Sequence, residues 1–347
     1  MKKISILTFL ATLFGLFSFP LLLRAQLIED ERNTIEVVKK TKNSVVFVTN
    51  IQVVRNFDFS EEAVPQGSGS GFIWDDKGHI VTNYHVVEGG DLFRVTLPNQ
   101  EERQARLVGK EPNKDIAVLA ISGDLSGLYP AKAGSSNDLQ VGQKVIAIGN
   151  PFGFDHTVTQ GIVSALGRSI LGVGGVSIRD MIQTDASINP GNSGGPLLDS
   201  SGALIGMNTM IVSRSGTSSG VGFAVPVDTI KKIVPQIIRF GKVTWPGIGV
   251  TLLADQYARR LGIEGVIIQE VPAQSEAYRA GIRGLGTDRD GQLYIRDVIT
   301  EIDAARIVSY DDLYNTLENH KIGDTVTLTI ERDGKVRKVQ IRLVGTD

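Results

Sequence analysis

The chain has 347 residues, which is too long for one ordinary domain and suits two, each with a buried core. Its 36 basic and 38 acidic residues leave a net charge of −2, so the charge balance gives no support for a nucleic-acid partner or an anionic membrane surface. There is no cysteine, which excludes thiol catalysis, disulfide bonds and cysteine-ligated metal sites.

The first 25 residues predict an export signal. MKK supplies a positive start, and residues 4–23 form an uncharged, mostly apolar run that is long enough to cross a bilayer. The ending LLLRAQ is a poor small-residue cleavage site, so residues 1–25 are either a cleaved signal peptide or an uncleaved signal anchor. In both cases the remainder of the chain is expected to face the outside of a cytoplasmic membrane.

Residues 44–226 predict short β-strands separated by turns. Apolar runs such as SVVFVTNIQVV, DIAVLAI, KVIAIGNP and GVGFAVPV are bounded by clusters of Gly, Asn, Asp and Pro. This spacing is typical of antiparallel barrels or sandwiches and argues against alternating βαβ units. Residues 75–78, DDKG, predict a hairpin turn, whereas the polar segment 55–65 predicts a mobile loop.

Residues 227–241, VDTIKKIVPQIIRFG, predict a connecting helix that stops at Gly241. A second module follows the boundary KVTWPG. Its predicted strands are GIGVTLL, GVIIQEV, DVITEID, TVTLTIERDG and VRKVQIRLV, and its predicted helices are SEAYRAG and YDDLYNTLENH. Turns are expected at Gly323-Asp324 and at Asp333-Gly334, the second of the Asp-Gly hairpin type.

Residues 184–199, TDASINPGNSGGPLLD, gather glycine, proline and asparagine around Ser193. Gly191, Gly194 and Gly195 allow the backbone to bend and to approach a substrate closely. In acyl transfer, the amide of the nucleophile and a neighbouring amide must point at the developing oxyanion, and Gly191 and Ser193 are the natural pair. A glycine-rich hairpin without chemistry is the alternative interpretation of this stretch.

A nucleophilic serine needs a base, and the base needs an orienting carboxylate. Of the four histidines, His85 is the candidate because VTNYHVVEG places it at a strand end or in a short helix before a polar turn. Asp115 precedes the apolar run IAVLAI, where burying an unpaired carboxylate is costly. An ordinary core or surface histidine and a solvated aspartate are the alternatives. The order His, Asp, Ser is that of chymotrypsin.

The motifs TNYHVV, NKDIAVL and NPGNSGGPL together resemble those of the HtrA/Deg serine proteases. The resemblance extends from about Ile35 to the C-terminus. It implies a mainly β fold: a chymotrypsin-like double β-barrel protease domain over residues 26–240, followed by an α+β PDZ domain over 245–345. It also implies a serine endopeptidase that uses neither a cofactor nor a metal.

This resemblance assigns His85 as the general base, Asp115 as its partner and Ser193 as the nucleophile. The oxyanion hole falls on the amides of Gly191, Asn192 and Ser193. Residues 208–223 resemble the segment that shapes the primary specificity pocket, which in this family favours small or medium aliphatic side chains.

The second module resembles a PDZ domain, in which an extended C-terminal peptide adds a strand and backbone amides hold its carboxylate. Residues 310–319 match the helix beside the peptide groove. Arg168 in ALGRS matches the arginine that relays peptide binding to the catalytic loops in this family, with a solvated loop arginine as the alternative. The residues that match the carboxylate-binding turn are Gly247, Ile248, Gly249 and Val250.

These features predict an ATP-independent endopeptidase of the cell envelope, either periplasmic or anchored to the inner membrane, that acts in protein quality control or regulated proteolysis. The expected partners are unfolded or misfolded proteins and C-terminal peptides, with no nucleic acid. A single PDZ module resembles the trimeric members of the family, which implies a homotrimer. The alternative function is a PDZ adaptor or holdase whose protease domain is inactive.

Overall fold

The fold is described by a computed structural model that covers residues 26–55, 57–172, 176–209 and 220–346. The expected signal or anchor segment, residues 1–25, lies outside these ranges. Among the residues that the structure describes, no helix has the length and apolar character needed to span a membrane.

A first closed barrel of six antiparallel strands follows an N-terminal helix, α1 (Glu29–Thr41). The strands pair in the order β1-β2-β3-β6-β5-β4, and a one-turn helix, α2 (Tyr84–Val87), follows β3. Apolar side chains that include Val46, Ile80 and Leu119 fill the barrel. The six strands are β1 (Val45–Arg55), β2 (Glu61–Ile73), β3 (His79–Thr82), β4 (Leu92–Thr96), β5 (Glu102–Glu111) and β6 (Ile116–Ile121).

A second closed barrel pairs its strands in the order β10-β11-β12-β9-β8-β7 around a separate core that includes Val145 and Ile182. A third apolar cluster, with Phe72 from the first barrel and Ile148 from the second, joins the two barrels. The strands are β7 (Lys144–Gly149), β8 (Thr157–Leu171), β9 (Ser177–Thr184), β10 (Pro196–Leu198), β11 (Leu204–Thr209) and β12 (Gly222–Pro226).

The prediction of a mobile loop over residues 55–65 was wrong. Strand β1 extends to Arg55, strand β2 begins at Glu61, and these two residues are paired across the hairpin. The hydrogen bonds of a ladder come from backbone groups, so a polar, exposed segment can form strands when its partner is adjacent in the chain. The predicted turn at residues 75–78 is confirmed, since it joins β2 to β3 with Gly78 at a φ of +83°.

Helix α3 (Val227–Phe240) confirms the predicted connecting helix. Ile230, Ile233, Val234 and Ile237 are fully buried, and their spacing of three and four residues places them on one face against both barrels. Gly241 ends the helix with a φ of +75°, in the left-handed conformation that glycine adopts most readily.

The second module is a mixed fold whose strands and short helices surround a main apolar core that includes Ile268, Ile299 and Leu328, with a smaller cluster at Ala258 and Ile267. Its main sheet has the order β14-β15-β18-β20-β21, with β19 paired to β18; β13 pairs with β22, and β16 with β17. The strands are β13 (Trp245–Gly247), β14 (Thr251–Leu252), β15 (Val266–Glu270), β16 (Gly286–Thr287), β17 (Leu293–Tyr294), β18 (Val298–Ile302), β19 (Ala305–Arg306), β20 (Thr325–Arg332), β21 (Lys335–Arg342) and β22 (Val344–Thr346). The helices are α4 (Asp255–Arg260), α5 (Glu276–Arg279) and α6 (Tyr310–Leu317).

Two barrels followed by this smaller α+β module confirm the predicted mainly β fold. The sequence did not predict helix α1, helix α4 or the three-residue strand β10. Helix α1 is short of apolar residues, and among its side chains only Val37 is buried, so hydrophobic periodicity gives a weak signal there.

Candidate active site

His85 is held at the junction of the two barrels by helix α2. This single turn begins at Tyr84, after the N-cap residue Asn83 that follows β3, and a quarter of the His85 side chain stays exposed. The backbone amide of His85 donates a hydrogen bond to Asp115 Oδ1 at 3.0 Å. The histidine is therefore bound to the aspartate through its main chain as well as through its ring.

Asp115 is buried, and its carboxylate is surrounded by donors. His85 Nδ1 lies 2.9 Å from Oδ2 and 3.1 Å from Oδ1, and Thr209 Oγ1 donates to Oδ2 at 2.7 Å. Asn83 Nδ2 donates to the Asp115 carbonyl at 3.1 Å. The hydrogen bonds to the carboxylate offset the free-energy cost of burying its negative charge. They also keep the proton of a neutral imidazole on Nδ1, which leaves Nε2 as the basic nitrogen.

The backbone of Asp115 has a φ of +53°, in the left-handed region that non-glycine residues seldom adopt. The residue ends a short 3-10 turn, residues 112–114, and precedes β6. This conformation lets the chain turn sharply between β5 and β6 and presents the carboxylate to His85 rather than to solvent. Strained backbone of this kind is concentrated at functional sites.

Ser193 lies in the segment between β9 and β10, residues 185–195, which we call the Ser193 loop. The serine is 3% exposed, and its carbonyl accepts a hydrogen bond from the Ser70 amide of the first barrel at 2.8 Å. The loop therefore runs along the same interface between the barrels that holds His85 and Asp115.

The three glycines of the Ser193 loop are each required by a close backbone approach. A Cβ atom on Gly194 would lie 2.1 Å from Ser70 O, and one on Gly195 would lie 2.1 Å from Ile148 O. Gly191 has a φ of +107°, and a Cβ there would lie 2.3 Å from Pro151 Cβ. The glycines thus let the loop press against strands of both barrels, which no residue with a side chain could do.

Asn192 is bound within the Ser193 loop. Its amide donates to Asn189 O at 3.1 Å, its side-chain nitrogen donates to Ser187 O at 2.9 Å, and its side-chain oxygen accepts from the Asn189 amide at 2.9 Å. The Asn192 amide therefore has an acceptor within the loop itself. Its role is to stabilise the turn that precedes Ser193.

The remaining histidines are placed outside this cluster. His79 Nδ1 contacts Asp75 at 2.7 Å in the β2–β3 turn, and His320 contacts Thr316 O and Asp303 in the second module. His156 Nε2 lies 3.4 Å from Val45 O. Each of these rings has a local partner, and His85 alone among the four is paired with Asp115.

Two residues of the site, Thr209 and Ser70, were not identified from the sequence. Thr209 and Asp115 are 94 positions apart, and Ser70 and Gly191 are 121 apart, so no local pattern connects either pair. The segment 208–223, expected to shape the specificity pocket, is described at residues 208–209 and 220–223 only; residues 210–219 lie outside the described ranges. Arg168 is an exposed residue of β8, paired with Met181 of β9.

A cavity of about 590 Å³ lies between the second module and the first barrel. The expected carboxylate-binding turn and helix α6 form one side, and the end of β5 forms the other. Burial raises the pKa of the Glu111 carboxyl above its usual value, although Trp245 Nε1 donates to that carboxylate at 2.7 Å. The lining residues include Glu111, Asn113, Ile248, Val250, Leu313 and Leu317.

Beside this cavity, the residue before Asp115 is bound to the second module. Lys114 is 3% exposed, and its Nζ lies 2.6 Å from Glu318 Oε2, just beyond the end of α6. At the other end of α6, Asp311 accepts hydrogen bonds from the amide and hydroxyl of Ser177 at 2.6 and 2.8 Å. Helix α6 is thus attached to both barrels.

Comparison with known proteins identifies both modules. Residues 69–207 match the Trypsin-like peptidase domain family, and residues 246–343 match the PDZ domain family. A relative from Arabidopsis thaliana, Protease Do-like 1, chloroplastic, is 48% identical over 316 residues, which cover 90% of this chain and 72% of the relative. The Serine protease Do-like HtrA of Lactobacillus helveticus is 39% identical over 300 residues, 82% of this chain and 70% of the relative. The chain belongs to the HtrA/Deg family of serine proteases.

Solved structures agree with this assignment. The HtrA-type protease AlgW with a decapeptide is 32% identical, has a TM-score of 0.66, and the match covers 90% of this chain and 98% of that one. The serine endoprotease from Yersinia pestis is 31% identical, with a TM-score of 0.63 and coverage of 90% and 98%. This HtrA/Deg chain is therefore a serine endopeptidase with a trypsin-like domain followed by a PDZ domain.

Proposed function

We propose that this HtrA/Deg protease hydrolyses unfolded or misfolded proteins through an acyl-enzyme, without ATP, and that His85, Asp115 and Ser193 carry the reaction. The observation that carries the proposal is the buried Asp115 carboxylate, which binds the His85 ring at 2.9 Å, the His85 amide at 3.0 Å and the Thr209 hydroxyl at 2.7 Å. Such an arrangement holds one tautomer and one orientation of the imidazole.

In this mechanism the Ser193 hydroxyl attacks the scissile carbonyl and transfers its proton to His85 Nε2. The protonated imidazole then returns that proton to the leaving amine, and water repeats the sequence to release the acyl group. Asp115 stays ionised and stabilises the imidazolium through Nδ1. No step requires a metal or an organic cofactor.

For the oxyanion hole we propose the amides of Gly191 and Ser193. The Asn192 amide, expected from the sequence to contribute, is left out because it donates to Asn189 O. A pair of amides aimed at the developing negative charge is a large contribution to acyl transfer, since it stabilises the transition state without reorganisation.

We propose that the chain consists of a protease domain over residues 26–240 and a second domain over residues 245–345. We propose that this second domain binds C-terminal peptides. The carboxylate would lie at the amides of residues 247–250, and the part of the cavity lined by Ile248, Leu313 and Leu317 would take the last side chains. The bonds of α6 to Lys114 and Ser177 support regulation of the protease by this binding, with Arg168 on β8 as a further relay.

We place the enzyme in the cell envelope, periplasmic or anchored to the inner membrane by residues 4–23, as a homotrimer active in protein quality control. The support is the apolar N-terminal run together with relatives such as the Probable periplasmic serine endoprotease DegP-like of Pseudomonas fluorescens, 40% identical over 281 residues. Chloroplastic relatives show that the family also acts in an organelle.

The test is labelling with a fluorophosphonate, which requires an activated serine, together with casein cleavage. Ser193→Ala should abolish both and leave the melting temperature unchanged, whereas Ser200→Ala, at an exposed serine of the β10–β11 turn, should keep both. Wild-type casein cleavage by the Ser193→Ala variant would overturn the assignment. Failure of the wild-type protein to label, with and without an added C-terminal peptide, would favour an inactive adaptor instead.

A further inference from the structure

Ser70 of the first barrel binds the Ser193 loop through both its main chain and its side chain. It lies in β2 and is fully buried. Its amide donates to Ser193 O at 2.8 Å, and its hydroxyl donates to Gly191 O at 2.6 Å. The same hydroxyl accepts from the Asn150 amide at 2.7 Å, and the Ser70 carbonyl accepts from Thr82 Oγ1 at 2.7 Å.

The orientation of the Ser70 hydroxyl is determined by these partners. A hydroxyl has one proton and two lone pairs. Because a backbone amide, which can only donate, approaches Oγ from Asn150, the proton is directed at Gly191 O. The hydroxyl therefore joins three segments: strand β2, the end of β7 and the Ser193 loop.

Two carbonyls of the loop are held by this one residue, and they belong to Gly191 and Ser193, the residues whose amides form the proposed oxyanion hole. Gly191 is a glycine at a φ of +107°, so its own conformational preferences place little restraint on the rotation of its peptide groups. A hydrogen bond to its carbonyl supplies that restraint. The peptide after Ser193 is held further by the bond from the Gly194 amide to Asn208 O at 2.8 Å.

We infer that Ser70 is a positioning residue that holds the oxyanion hole in its productive geometry. The inference rests on the proposed function, since it gives Ser70 a role in the same reaction. The role of the hydroxyl in positioning the oxyanion hole is separate from the packing of the barrels. The hydrogen bond from the Ser70 amide to Ser193 O holds the loop against the first barrel whether or not the side chain is present. Removing the hydroxyl should leave the two barrels joined and free the Gly191 carbonyl.

Ser70→Ala tests the inference in the full-length protein with a short peptide substrate. We expect kcat to fall by about tenfold to a hundredfold and KM to stay within about twofold. This loss of kcat is smaller than the loss expected when an oxyanion donor itself is removed. The affinity for a peptide boronate, whose tetrahedral adduct occupies the oxyanion hole, should fall by a similar factor. A purely structural role would instead lower the melting temperature and leave kcat per folded enzyme unchanged.

Thr82→Val is the matched control. Thr82 is also fully buried, and its hydroxyl donates to the Ser70 carbonyl rather than to a carbonyl of the Ser193 loop. It should keep kcat within about twofold of wild type, since backbone contacts of the loop are unaltered. An equal loss of kcat in both variants would overturn the inference, and so would a wild-type kcat in Ser70→Ala.

Ser70→Cys covers the case in which Ser70→Ala does not fold. A thiol keeps a side-chain donor at this position but donates only a weak hydrogen bond, so kcat should still fall by several-fold, and a wild-type kcat would overturn the inference. The proposed function has a separate readout. If wild-type enzyme is labelled by a fluorophosphonate and Ser70→Ala keeps wild-type kcat, only the role of Ser70 fails; without labelling of wild type, the proposed function itself fails.

Discussion

At the scale of single residues, Thr209 makes the hydrogen bond in the site whose loss has the most direct consequence for catalysis. It stands at the end of β11 and donates to Asp115 Oδ2, the same oxygen that lies 2.9 Å from His85 Nδ1. The threonine belongs to the second barrel and the aspartate to the first, so this bond also sets the distance between the two barrels at the site. A buried carboxylate that loses one donor is less firmly held.

Thr209→Val replaces the hydroxyl with a methyl group of similar size. We expect kcat on a peptide substrate to fall by about tenfold with little change in KM, because the imidazole is oriented less strictly while substrate contacts are kept. Thr329→Val is the control: this threonine is also 6% exposed and donates to a carboxylate, Glu301, at 2.9 Å in the PDZ domain. A similar loss of kcat in both variants would contradict the prediction.

The residues of the site were predictable to the extent that each carries a local signal. Ser193 stands among glycines, Asp115 precedes an apolar strand, and His85 follows one, so three short patterns identified them. Thr209 ends an ordinary strand and Ser70 stands in the glycine-rich run QGSGSGF, and what makes them part of the site is a partner about a hundred positions away. Thr209 and Ser70 reach the site only when the two barrels have formed and packed against each other.

At the scale of elements, helix α3 is attached through a polar contact at its first turn to the segment that connects β6 to β7. Asp228 accepts from the Ser136 amide at 2.7 Å and from the Ser136 hydroxyl at 2.9 Å, and it forms an ion pair with Lys231 at 3.0 Å. Burial pushes the pKa of Asp228 up, but these partners together lower it from 3.8 to about 2. A carboxylate in the first turn also suits the helix dipole.

Asp228→Asn should therefore destabilise the protein in a pH-dependent way. The folded-state pKa is depressed below the unfolded value, so the stabilisation is present above about pH 4 and is lost as the pH falls towards 2. We expect a loss of about 1–2 kcal/mol at pH 7, allowing for partial exposure of the carboxylate. Thermal unfolding at pH 7, 4 and 2 measures it, with the exposed Asp290→Asn as the control. A difference that persists unchanged at pH 2 would contradict the prediction.

Elements were predictable where hydrophobic periodicity is strong. The buried stripe of α3 and the apolar strands of both barrels have it. The first part of β2, residues 61–65, does not, because most of its side chains face solvent and a ladder needs only backbone groups. Strand β10 has three residues, too few for any periodicity, and it is ordered because Leu197 and Leu198 pair with β7 and β11.

At the scale of the whole molecule, the PDZ domain is joined to the catalytic segment by charged and aromatic contacts. Lys114 stands next to Asp115 and pairs with Glu318, and Trp245 Nε1 of the PDZ domain donates to the Glu111 carboxylate of β5 at 2.7 Å. The two modules could be predicted from composition and pattern, whereas their relative placement could not. It depends on a few contacts between residues more than 60 positions apart, none of which has a local signature.

Under the proposed regulation by the PDZ domain, we expect the ion pair between Lys114 and Glu318 to couple a peptide in the groove beside α6 to Asp115. Lys114→Met keeps the length of the buried stem and removes the charge, so the ratio of kcat with and without a saturating C-terminal peptide should move towards one, whichever direction the wild-type response takes. Arg306→Met is the control, because Arg306 pairs with Glu264 inside the PDZ domain and does not contact the protease domain. It should keep the wild-type ratio. A wild-type ratio in Lys114→Met, with peptide affinity unchanged, would show that the coupling follows another route.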